Sequence, residues 1–92
     1  MIDFEWDQQK ASRNKQKHGV SFSEVSTAFA DPLSLTIFDP DHSETEDRFL
    51  LLGQAASGRL LVVCHTERGG TIRIINARSA DRRERAEYER KA

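Results

Sequence analysis

Residues 59–79 read RLLVVCHTERGGTIRIINARS, and this stretch indicates the architecture more strongly than any other. Leu60–Cys64 is continuously apolar, which is typical of a strand covered on both faces. Glu67–Gly70 predicts a turn, and the isoleucines of Thr71–Arg78 predict a second strand after it. We therefore expect a two-stranded hairpin at the centre of a sheet.

The strand pattern continues upstream of this hairpin. Arg48–Gln54 reads as another strand, joined to Arg59–Thr66 by a short connection that ends in glycine. Leu33–Phe38 is a further strand by residue type and alternation. Between the two lies Asp39–Asp47, an acidic segment that we expect to form a surface loop too polar to pack.

The N-terminal third predicts a strand followed by two helices. Apolar and acidic side chains alternate over residues 2–6, as in a half-buried strand. Asp7 is placed to cap a helix that runs to about His18. Ser21 and Glu24 have the spacing of a capping box at the start of a second helix.

A last, almost wholly polar helix is predicted over Ala80–Lys91, with Ser79 as its N-cap. The predicted fold class is therefore α+β. It has an N-terminal strand, two helices, an antiparallel sheet of about four further strands and a C-terminal helix. No linker composition appears, so residues 1–92 are expected to form a single domain.

Composition limits the classes of protein that remain. The chain has 92 residues, of which 37% are hydrophobic and 32% charged, enough for a thin core under a charged shell. Cys64 is the one cysteine, which excludes an intramolecular disulfide and a multi-thiolate metal site. No apolar run is long enough for a membrane helix, and the N-terminus lacks a signal peptide pattern. We expect a cytoplasmic protein without membrane contact.

The formal net charge of −1 hides a segregation of charge along the chain. From Arg59 onward there are nine basic and five acidic residues, whereas Asp39–Asp47 carries no basic residue. Such sorting can build a basic surface on a nearly neutral protein. The alternative is that helix charges pair with one another and simply face solvent.

Known catalytic motifs are absent, and a zinc site built from the three histidines and Cys64 is disfavoured by their spacing. Cys64 and His65 are strand neighbours and should point to opposite faces. What remains is a set of basic side chains around a small sheet. RNA cleavage by 2′-OH attack needs a base, a proton donor and a cation, all of which His, Glu, Arg and Lys can supply.

His18 and Arg78 are the leading candidates for this chemistry. His18 ends a helix, where the negative pole favours a protonated imidazole. Arg78 ends a strand just before a helix, where it could help to hold a phosphate. Arg73 should lie on the opposite face from Arg78 if their strand is regular. The structural alternative makes His18 a helix-end residue, His65 a strand-end residue and Arg78 a salt-bridge partner.

The ordered strings of this sequence resemble the BrnT toxins of bacterial type II toxin–antitoxin systems. The resemblance extends from Phe4 to Tyr88, in the same order and at the same spacing. It is carried by FEWD (4–7), KHGVSF (17–22), FADP (29–32), RF (48–49), Gly53, LVV (61–63), HTER (65–68), IRII (72–75), ARSA (77–80) and RRER (82–85).

This resemblance implies a small RelE-like ribonuclease that cuts RNA without a metal or other cofactor and so inhibits translation. It also implies a BrnA-like ribbon-helix-helix antitoxin as partner, in a complex of two toxins and two antitoxins. Operator DNA would then be contacted only through the antitoxin. The alternative is a degenerate toxin, a non-catalytic module that binds the antitoxin or nucleic acid.

Family motifs also suggest site residues, to which we assign roles. The expected catalytic residues are His18 or Glu84 as proton carrier, with Arg68 and Arg78 on the scissile phosphate. The remaining basic residues are expected to bind RNA, and they are Lys17, Arg73, Arg82 and Arg83. No metal ligand is expected.

Overall fold

The computed structural model describes residues 2–91, so the first and last residues of the predicted domain lie outside it. Within these residues there are five strands and three α-helices, in the predicted order. The strands are β1 (Asp3–Glu5), β2 (Leu35–Phe38), β3 (Phe49–Gln54), β4 (Leu60–Arg68) and β5 (Thr71–Ser79). The helices are α1 (Gln8–His18), α2 (Phe22–Ala28) and α3 (Arg82–Lys91).

The strands form one mixed sheet in the order β1-β5-β4-β3-β2. β1 pairs in parallel with the first residues of β5, and every other neighbouring pair is antiparallel. The expectation that Leu60–Cys64 is a central strand is confirmed, because β4 is the middle strand and these residues are buried. The α+β class is confirmed as well.

The predicted start and end of α1 and the predicted Ser21 cap of α2 are confirmed, whereas the Glu24 carboxylate binds Arg59 instead of completing the capping box. The carboxylate of Asp7 accepts the backbone N–H of Gln9 at 2.8 Å, as an N-cap does. Gly19 ends α1 in the left-handed conformation, with φ of 70°. The Ser21 hydroxyl accepts the backbone N–H of Glu24 at 3.1 Å and so starts α2.

The predicted start of the last helix is wrong. Ser79 is the last residue of β5, and α3 begins at Arg82. Asp81 and Glu84 form the N-terminal capping box instead, since each carboxylate accepts the other residue's backbone N–H, at 2.8 and 2.9 Å. Asp81 and Glu84 have the spacing of a capping box in the sequence, although the sequence analysis assigns Glu84 only a possible catalytic role.

The sheet has one face packed by α2 and a second face that is partly open. The first, here called the helix face, holds the core of buried residues, namely Val20, Phe22, Val25, Ala28, Leu51, Ala55, Leu61, Val63, Ile74 and Ala77. The second, here called the open face, carries the alternate residues of β4 and β5. α3 crosses one end of it and leaves an apolar groove lined by Leu50, Leu52 and Val62.

An irregularity in β5 changes which side chains share a face. Cys64 pairs with Asn76, but the next residue of β4 pairs with Ile74, so β5 contains one extra residue. Arg78 pairs with Val62 and Arg73 with Thr66. Since these two partners are four residues apart on β4, both arginines lie on the open face. The expectation that they lie on opposite faces, which assumed a regular strand, is therefore wrong.

Candidate functional site

Arg78 and Glu84 form a bidentate ion pair where the open face meets α3. The Arg78 guanidinium donates to both carboxylate oxygens, at 2.7 and 2.8 Å. This hydrogen-bonded pairing holds the pKa of Glu84 below its usual range. The Arg78 side chain is 44% exposed, so its outer edge can still meet a ligand. Glu84 is thus held as a carboxylate that orients Arg78.

A basic groove lies beside this pair, between α1 and β5. It has a volume of about 450 Å³, and its lining comprises Lys10, Arg13, Asn14, Lys17, His18, Ile75 and Asn76. Among residues 2–91, none of its basic side chains forms an ion pair. Asn76 stands two residues before Arg78 on the same face of β5, so the groove ends about 7 Å along the strand from the Arg78–Glu84 pair.

Asn14 fixes the position of α1 against the sheet, and the sequence reading had missed it. Its side-chain amide donates to the Val20 carbonyl at 3.0 Å and accepts the Ala77 backbone N–H at 3.0 Å. β1 reaches only to Arg73, so Asn14 takes the place of a neighbouring strand at this part of the β5 edge. One signal was available: Asn14 lies three residues after Ala11, the apolar position of α1, and hence on its buried face.

Three arginines gather at the other end of the open face. Arg68 donates to both oxygens of the Glu46 carboxylate, at 3.1 and 2.9 Å. Arg73 lies 3.6 Å from the carboxylate of Glu5. Arg48 also lies on this face. Its carbonyl accepts the backbone N–H of Asp39 and so extends the β2–β3 pairing by one residue. The next residue, Phe49, stacks on His65 of the helix face, so Arg48 points the other way.

The sheet therefore separates Arg68 from Arg78. Arg78 pairs with Val62, and Arg68 stands six residues further along β4, which is about 20 Å in a strand. Each guanidinium is bound to its own carboxylate at its own end of the sheet. The structure does not bring both arginines to one phosphate in this arrangement, and their expected shared role on the scissile phosphate stays a prediction.

The remaining candidates occupy the rims of these sites. Lys17 and His18 stand together in the groove of α1, whereas Arg82 and Arg83 begin α3 and are exposed. Arg83 borders the apolar groove under that helix. The structure thus brings Lys17, His18 and Arg78 to one side of the molecule and leaves Arg68 and Arg73 at the far end.

His65 and Cys64 lie outside these sites. His65 is 3% exposed, with its ring 4.9 Å from that of Phe29 and 5.8 Å from that of Phe49. Burial lowers the pKa of His65, and neither ring nitrogen has a hydrogen-bond partner within residues 2–91. Burial also raises the pKa of the Cys64 thiol. The two residues belong to opposite faces, as predicted.

The acidic loop is better packed than its composition suggested. Asp39 is buried, and its carboxylate lies 2.8 Å from Nδ1 of His42 within a short 3₁₀ turn, Pro40–His42. The expectation of a loop too polar to pack is wrong at this residue. Residues 2–91 bring together no group of three or more potential metal-ligating side chains. They also contain no helix with the length and apolar character to cross a membrane.

Comparison with known proteins identified a matching family and a similar solved structure. The sequence model of the ribonuclease toxin BrnT of type II toxin–antitoxin systems matches residues 6–84. The crystal structure of the Brucella abortus ribonuclease toxin BrnT is similar to the chain with a TM-score of 0.63 and 22% sequence identity. That match covers 89% of this chain and 99% of the Brucella chain. No curated protein sequence matches.

Proposed function

Because the chain belongs to the BrnT family of ribonuclease toxins of type II toxin–antitoxin systems, we propose that it is a metal-independent endoribonuclease that cuts RNA and so inhibits translation. The observation that carries this proposal is the Arg78–Glu84 pair at the end of a basic groove containing His18. The groove supplies cations and an imidazole, and the pair supplies an oriented guanidinium.

The proposed reaction is attack of a ribose 2′-oxygen on the adjacent phosphorus. His18 accepts the 2′-OH proton while the oxygen forms a bond to phosphorus. Arg78 binds the non-bridging oxygens and stabilises the negative charge that builds up on them. The bond to the 5′-oxygen then breaks, this leaving oxygen takes a proton from water, and His18 returns its proton to solvent, which leaves a 2′,3′-cyclic phosphate and a free 5′-hydroxyl.

Glu84 has a positioning role in this scheme rather than that of proton carrier. Its carboxylate is bound by Arg78 and also caps α3, so it is already committed as an acceptor. The RNA-binding role extends to Lys17 in the groove and to Arg82 and Arg83 at the start of α3. These exposed side chains would contact phosphates on either side of the cut.

The proposed partner is a BrnA-like ribbon-helix-helix antitoxin, in a complex of two toxins and two antitoxins that reaches operator DNA only through the antitoxin. The family match supports an antitoxin of some kind. We propose that it covers α1 and α3 in the cytoplasm, because their unpaired basic side chains fit an acidic or mixed partner helix. A complex in which the antitoxin contacts only Asp39–Asp47 would contradict this placement.

The test of function is inducible expression in a bacterial host, with growth and total RNA followed together. Wild type should arrest growth and produce new RNA fragments, whereas Arg78→Ala should lose about 10²–10³-fold in cleavage rate. Arg90→Ala is the matched control, since it removes a paired arginine at the far end of α3. Cleavage by purified protein should persist in EDTA, and loss of cleavage there would contradict metal independence.

A non-catalytic module that binds the antitoxin or RNA is the second candidate. It is favoured by the carboxylate partners of Arg68 and Arg78, because each guanidinium is already bound to a carboxylate before any ligand arrives. Normal growth at verified expression of folded wild type, without RNA fragments, would establish this reading. A fully active, folded Arg78→Ala protein would instead remove Arg78 from the site of a genuine ribonuclease.

A further inference from the structure

At the far end of the open face, Arg68 binds the carboxylate of Glu46, and Arg73 of the same face lies 3.6 Å from that of Glu5. Glu46 receives two hydrogen bonds from Arg68. The hydrogen bond from Arg68 is the main cause of its lowered pKa, and the charges of Arg68, Arg48 and Arg73 add to the effect. Glu46 thus sits in contact with one guanidinium and within the electrostatic influence of two more, which is a position that favours a bound anion.

Thr66 adds a second, independent observation at the same place. Its residue is 1% exposed, and its hydroxyl oxygen has no hydrogen-bond partner among residues 2–91. Thr66 pairs with Arg73 in the ladder, so the hydroxyl belongs to the face where the arginines stand. A buried hydroxyl without a partner destabilises the free protein, so a ligand that supplies an acceptor here recovers that cost on binding.

We propose that Glu46 occupies a phosphodiester subsite for single-stranded RNA, formed by Arg48, Arg68 and Arg73 above the Thr66 hydroxyl. The loop that carries Glu46 therefore competes with RNA. When a phosphate replaces the carboxylate, the arginines shift onto it and the hydroxyl gains an acceptor. This inference rests on the proposed function, because it assigns part of the substrate's path.

RNA fits this subsite better than a free anion for a geometric reason. The three arginines lie on the same face as Arg78, and Thr66 stands four residues along β4 from the partner of Arg78, about 13 Å away. One phosphate cannot span that distance, but successive phosphates of one strand can. The subsite would then hold a phosphate that flanks the cut.

The test is binding of a fluorescent 2′-O-methyl oligonucleotide of about ten nucleotides, followed by anisotropy at several salt concentrations. This probe lacks the 2′-OH nucleophile, so binding is measured without cleavage. Arg48→Ala should bind about tenfold more weakly and lower the salt slope by about one. Glu46→Gln should bind about fivefold more tightly, since it removes the competing charge.

Matched controls test whether the weaker RNA binding of Arg48→Ala and the tighter binding of Glu46→Gln depend on the position of the removed charge. Arg90→Ala and Glu89→Gln change the same charges at the exposed end of α3, and both should bind within about twofold of wild type. Should Arg48→Ala fail to fold, Arg68→Ala replaces it with the same expected direction. Thr66→Val should melt at a higher temperature yet bind more weakly, a combination that a purely structural hydroxyl would not give.

Each failure has a separate meaning. If wild type cleaves RNA but Arg48→Ala binds like Arg90→Ala, or Glu46→Gln binds no better than Glu89→Gln, the subsite is overturned and the ribonuclease stands. If wild type neither binds nor cleaves RNA, the proposed function falls and the subsite falls with it. Inorganic phosphate titrated alone should bind weakly, and affinity equal to that of RNA would overturn the RNA assignment.

Discussion

The basic groove beside α1 and the arginines of the open face are both positively charged, but they differ in whether carboxylates pair with them. In the groove, Lys10, Arg13 and Lys17 have no ion-pair partner among residues 2–91. On the open face, Arg68, Arg73 and Arg78 each face a carboxylate from another element. Both regions are rich in basic residues, but these three open-face arginines are paired with carboxylates and the three groove residues are not.

Because of this difference, we expect the groove to attract RNA and the paired arginines to orient it. Unpaired surface charges act at a distance and are screened by salt, so the groove can attract a polyanion without fixing its orientation. A guanidinium held by both oxygens of a carboxylate has little field left, but its direction is set before a ligand arrives. A net charge of −1 therefore does not argue against RNA binding.

The largest expected effect comes from exchanging the type of cation in each region. Arg78→Lys keeps the charge but loses the planar fork, and we expect cleavage to fall by about 10²–10³-fold. Lys17→Arg makes the reverse change in the groove, where only charge matters, and should stay within about twofold of wild type. Single-turnover cleavage rates would measure both. Equal losses in the two variants would erase the distinction between the regions.

The elements of the fold were predictable because their signals are local. Asp7, Ser21 and Gly19 each act within one helical turn, and the apolar run of β4 needs only its own residues. The positions of functional side chains were less predictable, since they depend on pairing across the sheet. One extra residue near Ile75 reverses the face of Arg73 relative to Arg78, and no sequence pattern announces it.

The ion-pair partners of the arginines also could not be predicted from the sequence. Arg68 reaches Glu46 across a separation of 22 residues, and Arg59 reaches Glu24 across 35. Neither contact follows from helical or strand periodicity. The sequence could indicate a basic surface, but not which arginines would be neutralised on it.

The next largest effect concerns Asn14, which joins the groove to the sheet. Asn14→Ala leaves the buried carbonyl of Val20 and the N–H of Ala77 without partners, so we expect a loss of about 2–3 kcal/mol of unfolding free energy. Arg13→Ala, the exposed neighbour, is the matched control and should lose less than about 0.5 kcal/mol. Urea denaturation would measure both changes. Equal midpoints would mean that the groove is not anchored through this amide.

The smallest expected effect lies on the helix face, and it tests whether pH acts on the fold separately from the two basic regions. Burial lowers the pKa of His65 below its ordinary 6.5, so the unfolded chain binds a proton that the folded chain does not. The stability of the wild type should therefore be constant above about pH 6.5 and fall as the pH decreases below it.

His65→Phe keeps an aromatic ring between Phe29 and Phe49 and removes two ring nitrogens that have no partner. It should add about 1 kcal/mol of stability near neutral pH and abolish the decline that begins at pH 6.5. A later decline below pH 4.5 would remain, because the pKa of Glu84 is lowered by Arg78. The pH dependence of cleavage should be unchanged, since His18 carries the proton in the proposed reaction. If His65→Phe shifted the pH profile of cleavage instead, the helix face would be coupled to the reaction. The helix face could then no longer be regarded as a purely structural region.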